Sequence, residues 1–101
     1  MSDYAIIGAG PSGLAMARAM QKTGIAVDGY EASHDVGGLW DITNPRSTMY
    51  ESAHLISSRT TTEFAEFAMR TSVDYPGHRV LKRYFDDYAD AFSLRDSFSF
   101  N

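Results

Sequence analysis

The chain has 101 residues, 44% of them hydrophobic and 22% charged, a composition that suits one small globular domain. Nine basic against thirteen acidic residues leave a net charge of −4, which argues against nucleic acid or an anionic membrane surface as the principal partner. There is no cysteine, so disulfides, thiolate catalysis and zinc–sulfur centres are excluded.

Residues 3–7, DYAII, read as a short buried strand that stops at Gly8. Asp3 stands where a secretory leader would carry Lys or Arg, and the apolar runs are too short for a membrane span. A soluble, cytoplasmic chain is the expectation. Ser12 to Lys22 reads as a helix, rich in good helix formers and stopped by Thr23-Gly24. Residues 25–31, IAVDGYE, read as a second strand, which completes a βαβ crossover and predicts a parallel sheet.

The turn inside that unit is GAGPSG, with Gly8, Gly10 and Gly13 at G-x-G-x-x-G spacing. Gly8 permits the tight exit from the strand. Gly10 lets backbone approach a pyrophosphate, and Gly13 lets the helix close on the strand. Pro11 and Ser12 open the helix, where free N–H groups and the positive dipole end face an anion. Glu31 lies 18 residues beyond Gly13, at the predicted strand end where a ribose diol would sit. Its carboxylate accepts from both hydroxyls and repels a 2′-phosphate, so FAD or NAD is favoured over NADP.

Residues 32–49 show no period and contain Gly37, Gly38, Asn44 and Pro45, which predicts a long loop. Within it GGLW places two glycines before Leu39 and Trp40, as expected of backbone and planar groups passing an extended dinucleotide. A core position for Trp40 fits the residue type equally well. Residues 50–67 read as extended or irregular, with Thr60–Thr62 the candidate strand, and SVDYPGH as a turn. From His78 to Leu94 an amphipathic helix is predicted, with Leu81, Tyr84, Phe85, Tyr88 and Phe92 on its buried face. Lys82–Asp86 and Arg83–Asp87 supply pairs four residues apart on the other face. The closing SFSFN alternates and starts a third strand.

GAGPSGL, Glu31, GGLW, YESAHLISSRTTTEFAEF and YPGHRVLKRYFDDYADAFSL occur in this order through nearly the whole chain. Together they resemble the N-terminal part of the flavin-containing monooxygenases. The resemblance implies an FAD-binding Rossmann-like α/β domain. It places Gly8, Gly10 and Gly13 on the pyrophosphate, Glu31 on the ribose, Gly38, Leu39 and Trp40 along the cofactor, and Ser57 near the isoalloxazine. It also implies NADPH as reductant and oxygen transfer to a soft nitrogen or sulfur nucleophile of a small molecule.

Two departures stand out. Ile56 occupies a position where the family usually carries Asn, so no side-chain amide is available there, although some relatives share the change. The family's second Gly-rich motif, for NADPH, is not among these residues. Residues 1–101 therefore read as an incomplete FAD-binding domain, with 31–67 lining the cofactor and 78–94 as the helix. The alternative is a non-catalytic dinucleotide-binding module or the relic of a longer gene.

His34, His54 and His78 are too scattered for a metal set. A surface role is expected for His78 and Arg59. No G-x-S-x-G elbow marks Ser57 or Ser58 as nucleophiles, and the catalytic residues stay unassigned.

Overall fold

The computed structural model describes residues 2–101. Its elements run β1 (Ala5–Ile7), α1 (Pro11–Lys22), β2 (Asp28–Glu31), a tight helical turn Gly38–Trp40, α2 (Arg59–Thr62), α3 (His78–Ala91), a second tight turn Leu94–Ser97, and β3 (Phe98–Phe100). The three strands form one parallel sheet in the order β1-β2-β3. This is a partial Rossmann-like α/β fold, as the sequence pattern predicts.

Register follows from the alternation of side chains along each strand. Ile6, Gly29 and Phe98 lie side by side across the sheet and are buried. A Cβ on Gly29 would come within 2.5 Å of the Phe98 ring, so only glycine lets that ring lie across β2. The next row, Ile7, Tyr30 and Ser99, points the other way and is exposed, Ile7 by 82%. One face of the parallel sheet thus carries the core and the other is bare, although parallel sheets are normally covered on both faces.

Leu14 and Ala17 of α1 and Leu81, Tyr84, Phe85, Tyr88 and Ala89 of α3 bury against that covered face. The aromatic stripe of α3 meets rings from the irregular segment. Phe64 lies 4.3 Å from Tyr88 and Phe67 lies 5.6 Å from Tyr84, centroid to centroid. The Tyr84 hydroxyl accepts from the Phe64 amide at 2.7 Å and donates to the Phe67 carbonyl at 2.5 Å. One side chain therefore fixes a stretch that has no ladder of its own. Tyr84→Phe leaves both backbone groups unpaired and should cost about 1–3 kcal/mol, read from the denaturant midpoint.

Several boundaries move from the sequence reading. β2 begins at Asp28, because the Ile25 amide closes the end of α1 on the Met20 carbonyl at 2.9 Å. Thr60–Thr62 belong to the single helical turn α2 and form no strand. The Ser58 hydroxyl meets the Thr60 and Thr61 hydroxyls, and Thr61 N–H donates to the Ser58 carbonyl at 3.1 Å. Local hydroxyl bonding of this kind competes with strand pairing. α3 ends at Ala91, and Ser93 at φ 54° turns the chain sharply into the next element. His78, expected at the surface, is buried, with Nε2 placed 3.2 Å from the Glu51 carbonyl. Lys82–Asp86 forms at 2.5 Å, whereas no Arg83–Asp87 ion pair occurs among the described residues.

Candidate dinucleotide site

The site is a meeting of three backbone segments at the end of β1 and β2. The Gly8 amide donates to the Tyr30 carbonyl at 2.8 Å, and Gly8 then turns out of the strand at φ 100°. Only glycine adopts that angle without strain. α1 starts directly at Pro11, with Gly10 as its N-cap and no side chain capping this end. Its first amides are therefore left for an external acceptor.

The three glycines of the turn do different work. A Cβ on Gly13 would sit 1.9 Å from the Gly8 carbonyl oxygen, so this glycine is required by helix-on-strand packing. Gly10 has φ −76° and ψ −171°, open to any residue, and a Cβ there would meet nothing closer than Gly38 Cα at 3.6 Å. Neither conformation nor packing within the chain demands glycine at position 10. Position 10 thus leaves room for close approach by a ligand.

Glu31 is buried at the end of β2, and its carboxylate is held at both oxygens. The Ala9 amide donates to Oε1 at 2.6 Å and the Ser33 amide to Oε2 at 2.8 Å. Burial alone would raise this carboxyl, but the Ala9 and Ser33 hydrogen bonds, with the charge of Arg46, hold it below the ordinary value. The group is an anion whose remaining lone pairs suit a pair of hydroxyls. Ser33 escaped the sequence reading; its only signal was a small hydroxyl residue two places after the acid, a spacing that favours turns.

GGLW folds back on the turn. The Gly37 amide donates to the Ala9 carbonyl at 2.9 Å, and Gly38, at φ 61°, would bring a Cβ within 3.0 Å of Gly10 Cα. The two glycine motifs therefore touch backbone to backbone. Leu39 stays half exposed, while Trp40 is partly buried against the core, which accords in part with its core reading. The Ser57 hydroxyl lies 2.7 Å from that of Thr62, on a segment anchored by the Leu55 amide to the Pro76 carbonyl. Ile56 is 92% exposed and contributes nothing to the core. Arg59 is partly buried and lies 3.7 Å from Asp74.

Two clefts of about 540 and 610 Å³ flank α3, and neither is lined by the glycine turn or Glu31. Among the described residues no three His, Asp or Glu side chains converge as metal ligands, and no helix is long and apolar enough to cross a membrane.

The profile described as flavin-binding monooxygenase-like matches residues 2–101. The chain belongs to that family. It is 35% identical to flavin-containing monooxygenase FMO GS-OX-like 8 of Arabidopsis thaliana, over 95% of this chain and 25% of that one. Against flavin-containing monooxygenase 1 of Oryctolagus cuniculus it is 34% identical, over 95% of this chain and 19% of the relative. A solved OTEMO complex with FAD and NADP superposes with a TM-score of 0.83 at 28% identity, covering 99% of this chain and 18% of that one. The chain thus spans a quarter or less of the length of each of these monooxygenases.

Proposed function

We propose that these residues form the FAD-holding part of an NADPH-dependent flavin monooxygenase that transfers oxygen to soft nitrogen or sulfur nucleophiles in small molecules. The observation that carries this reading is Gly10, a glycine that the chain's own packing does not need. It stands at an uncapped helix start beside the anionic Glu31. Gly8, Gly10, Pro11, Ser12 and Gly13 would receive the pyrophosphate, and Glu31 the adenine-side ribose. Gly38, Leu39 and Trp40 would run along the cofactor, with Ser57 toward its isoalloxazine. FAD held by these residues would supply the redox chemistry between NADPH and dioxygen.

The chain's own contribution is binding and orientation. The NADPH motif and the residues that choose the substrate belong to parts of the enzyme beyond these residues. The bare sheet face, with Ile7 and Tyr30 exposed, supports completion by further α/β structure. A cytoplasmic setting belongs to the same reading, with neither nucleic acid nor membrane as partner.

Purifying the 101-residue chain and titrating FAD, ADP and NAD by fluorescence tests the proposal directly. FAD should bind, and Gly10→Ala should weaken it about tenfold or more while leaving the melting temperature within a few degrees, roughly 1 kcal/mol in stability. A preference for NAD over FAD would remove the flavin assignment.

A further inference from the structure

The loop between Glu31 and Gly38 is held from behind by a cage of charges contributed by three elements. Asp35 Oδ1 accepts from Arg95 Nε at 3.2 Å and Nη2 at 3.1 Å, and Oδ2 accepts from Lys82 Nζ at 3.0 Å. Lys82 also donates to Asp86 at 2.5 Å, and Arg95 donates to Asp86 at 2.9 Å and to Asp90. α3, the turn Leu94–Ser97 and the loop after β2 are joined through Asp35.

Lys82, Asp35, Asp86 and Arg95 are only partly exposed, Lys82 the least, while Asp90 stands at the exposed rim. Burial alone would raise the Asp35 carboxyl, yet Lys82, the Val36 amide and Arg95 hold it below its ordinary value. Burial would likewise lower the Lys82 ammonium, and Asp86 and Asp35 hold it above. A networked cage of this kind counts for more than an isolated surface pair.

The cage connects to the site by a short chain of contacts. The Val36 amide donates to Asp35 Oδ1 at 2.7 Å, and the Ser33 hydroxyl donates to the Asp35 carbonyl at 2.9 Å. Ser33 in turn donates its amide to Glu31 Oε2 at 2.8 Å. On the other side, the Lys82 stem lies against Gly37, where a Cβ would come within 3.0 Å of Lys82 Cδ. Gly37 donates to Ala9 of the glycine turn at 2.9 Å.

We propose that Lys82 and Arg95, acting through Asp35, are positioning residues that pre-set the turn 33–38 so that Glu31 and Gly38 face one dinucleotide together. This rests on the dinucleotide reading above. Neither side chain need touch the ligand. Each removes an ordering cost that a loose loop would otherwise meet on binding.

The test uses the full chain. Lys82→Met keeps an apolar stem on Gly37 and removes the charge; Asp35→Asn is nearly isosteric and offers a second route if the first variant folds poorly. Each should raise the dissociation constant for FAD about tenfold. In the ligand-free chain each should speed amide hydrogen exchange at Val36 and Gly37 while leaving α1 unchanged. Lys82→Arg, which restores the charge, should recover most of the affinity. Lys82→Met and Arg95→Met combined should lose less than the product of their separate losses, because they share Asp35. Wild-type affinity and unchanged exchange at Val36 and Gly37 in Lys82→Met and Asp35→Asn would overturn the proposal. A wild-type chain that binds no FAD would instead defeat the functional reading, with the exchange comparison still deciding whether the cage orders the loop.

Discussion

Gly13→Ala should lower the melting temperature by more than about 10 °C, the equivalent of about 3 kcal/mol or more in a domain of this size. The added methyl would lie 1.9 Å from the Gly8 carbonyl oxygen and 2.9 Å from its carbon, both of them backbone. No flexible side chain is there to give way, so the start of α1 must move off β1. That movement also carries Gly10, the N-cap of α1, away from Gly38 and draws Leu14, fully buried one residue later, out of the core. Thermal unfolding followed by circular dichroism measures the effect. The contrast with Gly10→Ala is diagnostic, because one substitution strikes the fold and the other the space beside it. A Gly13→Ala protein melting within two or three degrees of wild type, roughly half a kcal/mol, would mean that α1 sits farther from β1 than described.

The elements that could be read from the sequence are those written in local chemistry. β1, α1 and the glycine turn follow from an apolar run, a Gly-x-Gly-x-x-Gly spacing and good helix formers in 20 consecutive residues. α3 follows from its apolar period, and β3 from the alternation in SFSF. What was hidden depends on partners far along the chain. Lys82–Asp86 and Arg83–Asp87 have the same spacing, and Asp35, 47 residues before Lys82, accompanies the one that forms. His78 is buried because the Glu51 carbonyl, 27 residues earlier, reaches its ring. The threonines at 60–62 favour strands as residue types, but Ser58 supplies hydroxyl and carbonyl partners for a helical turn. Position 31 was legible as an acid at a strand end. Its hold on two amides was not, since Ala9 and Ser33 are unremarkable residues in sequence.

That hold makes Glu31→Ala the second large effect. The substitution strips acceptors from the Ala9 and Ser33 amides, both buried hydrogen bonds, at a cost of about 2–4 kcal/mol in stability. Glu31→Gln separates charge from shape, because its amide nitrogen must face one of two N–H donors and leave it unpaired. The pH dependence has a definite sign. The folded carboxyl lies below its ordinary 4.5, so Glu31 contributes stability that is complete above that value and is lost as pH falls through the lower, folded one. Wild type and Glu31→Gln should therefore differ fully at neutral pH and converge in acid, as measured by urea midpoints across the series. Ligand choice should move with the same residue. Wild type should prefer ADP over its 2′-phosphorylated counterpart by about tenfold or more, since an anion held at the ribose repels a second one. In Glu31→Gln that preference should narrow, because the charge is gone while the side chain's length is kept. Equal binding of the two nucleotides by wild type would detach Glu31 from the ribose and leave it a purely structural clamp between the glycine turn and the loop that follows β2.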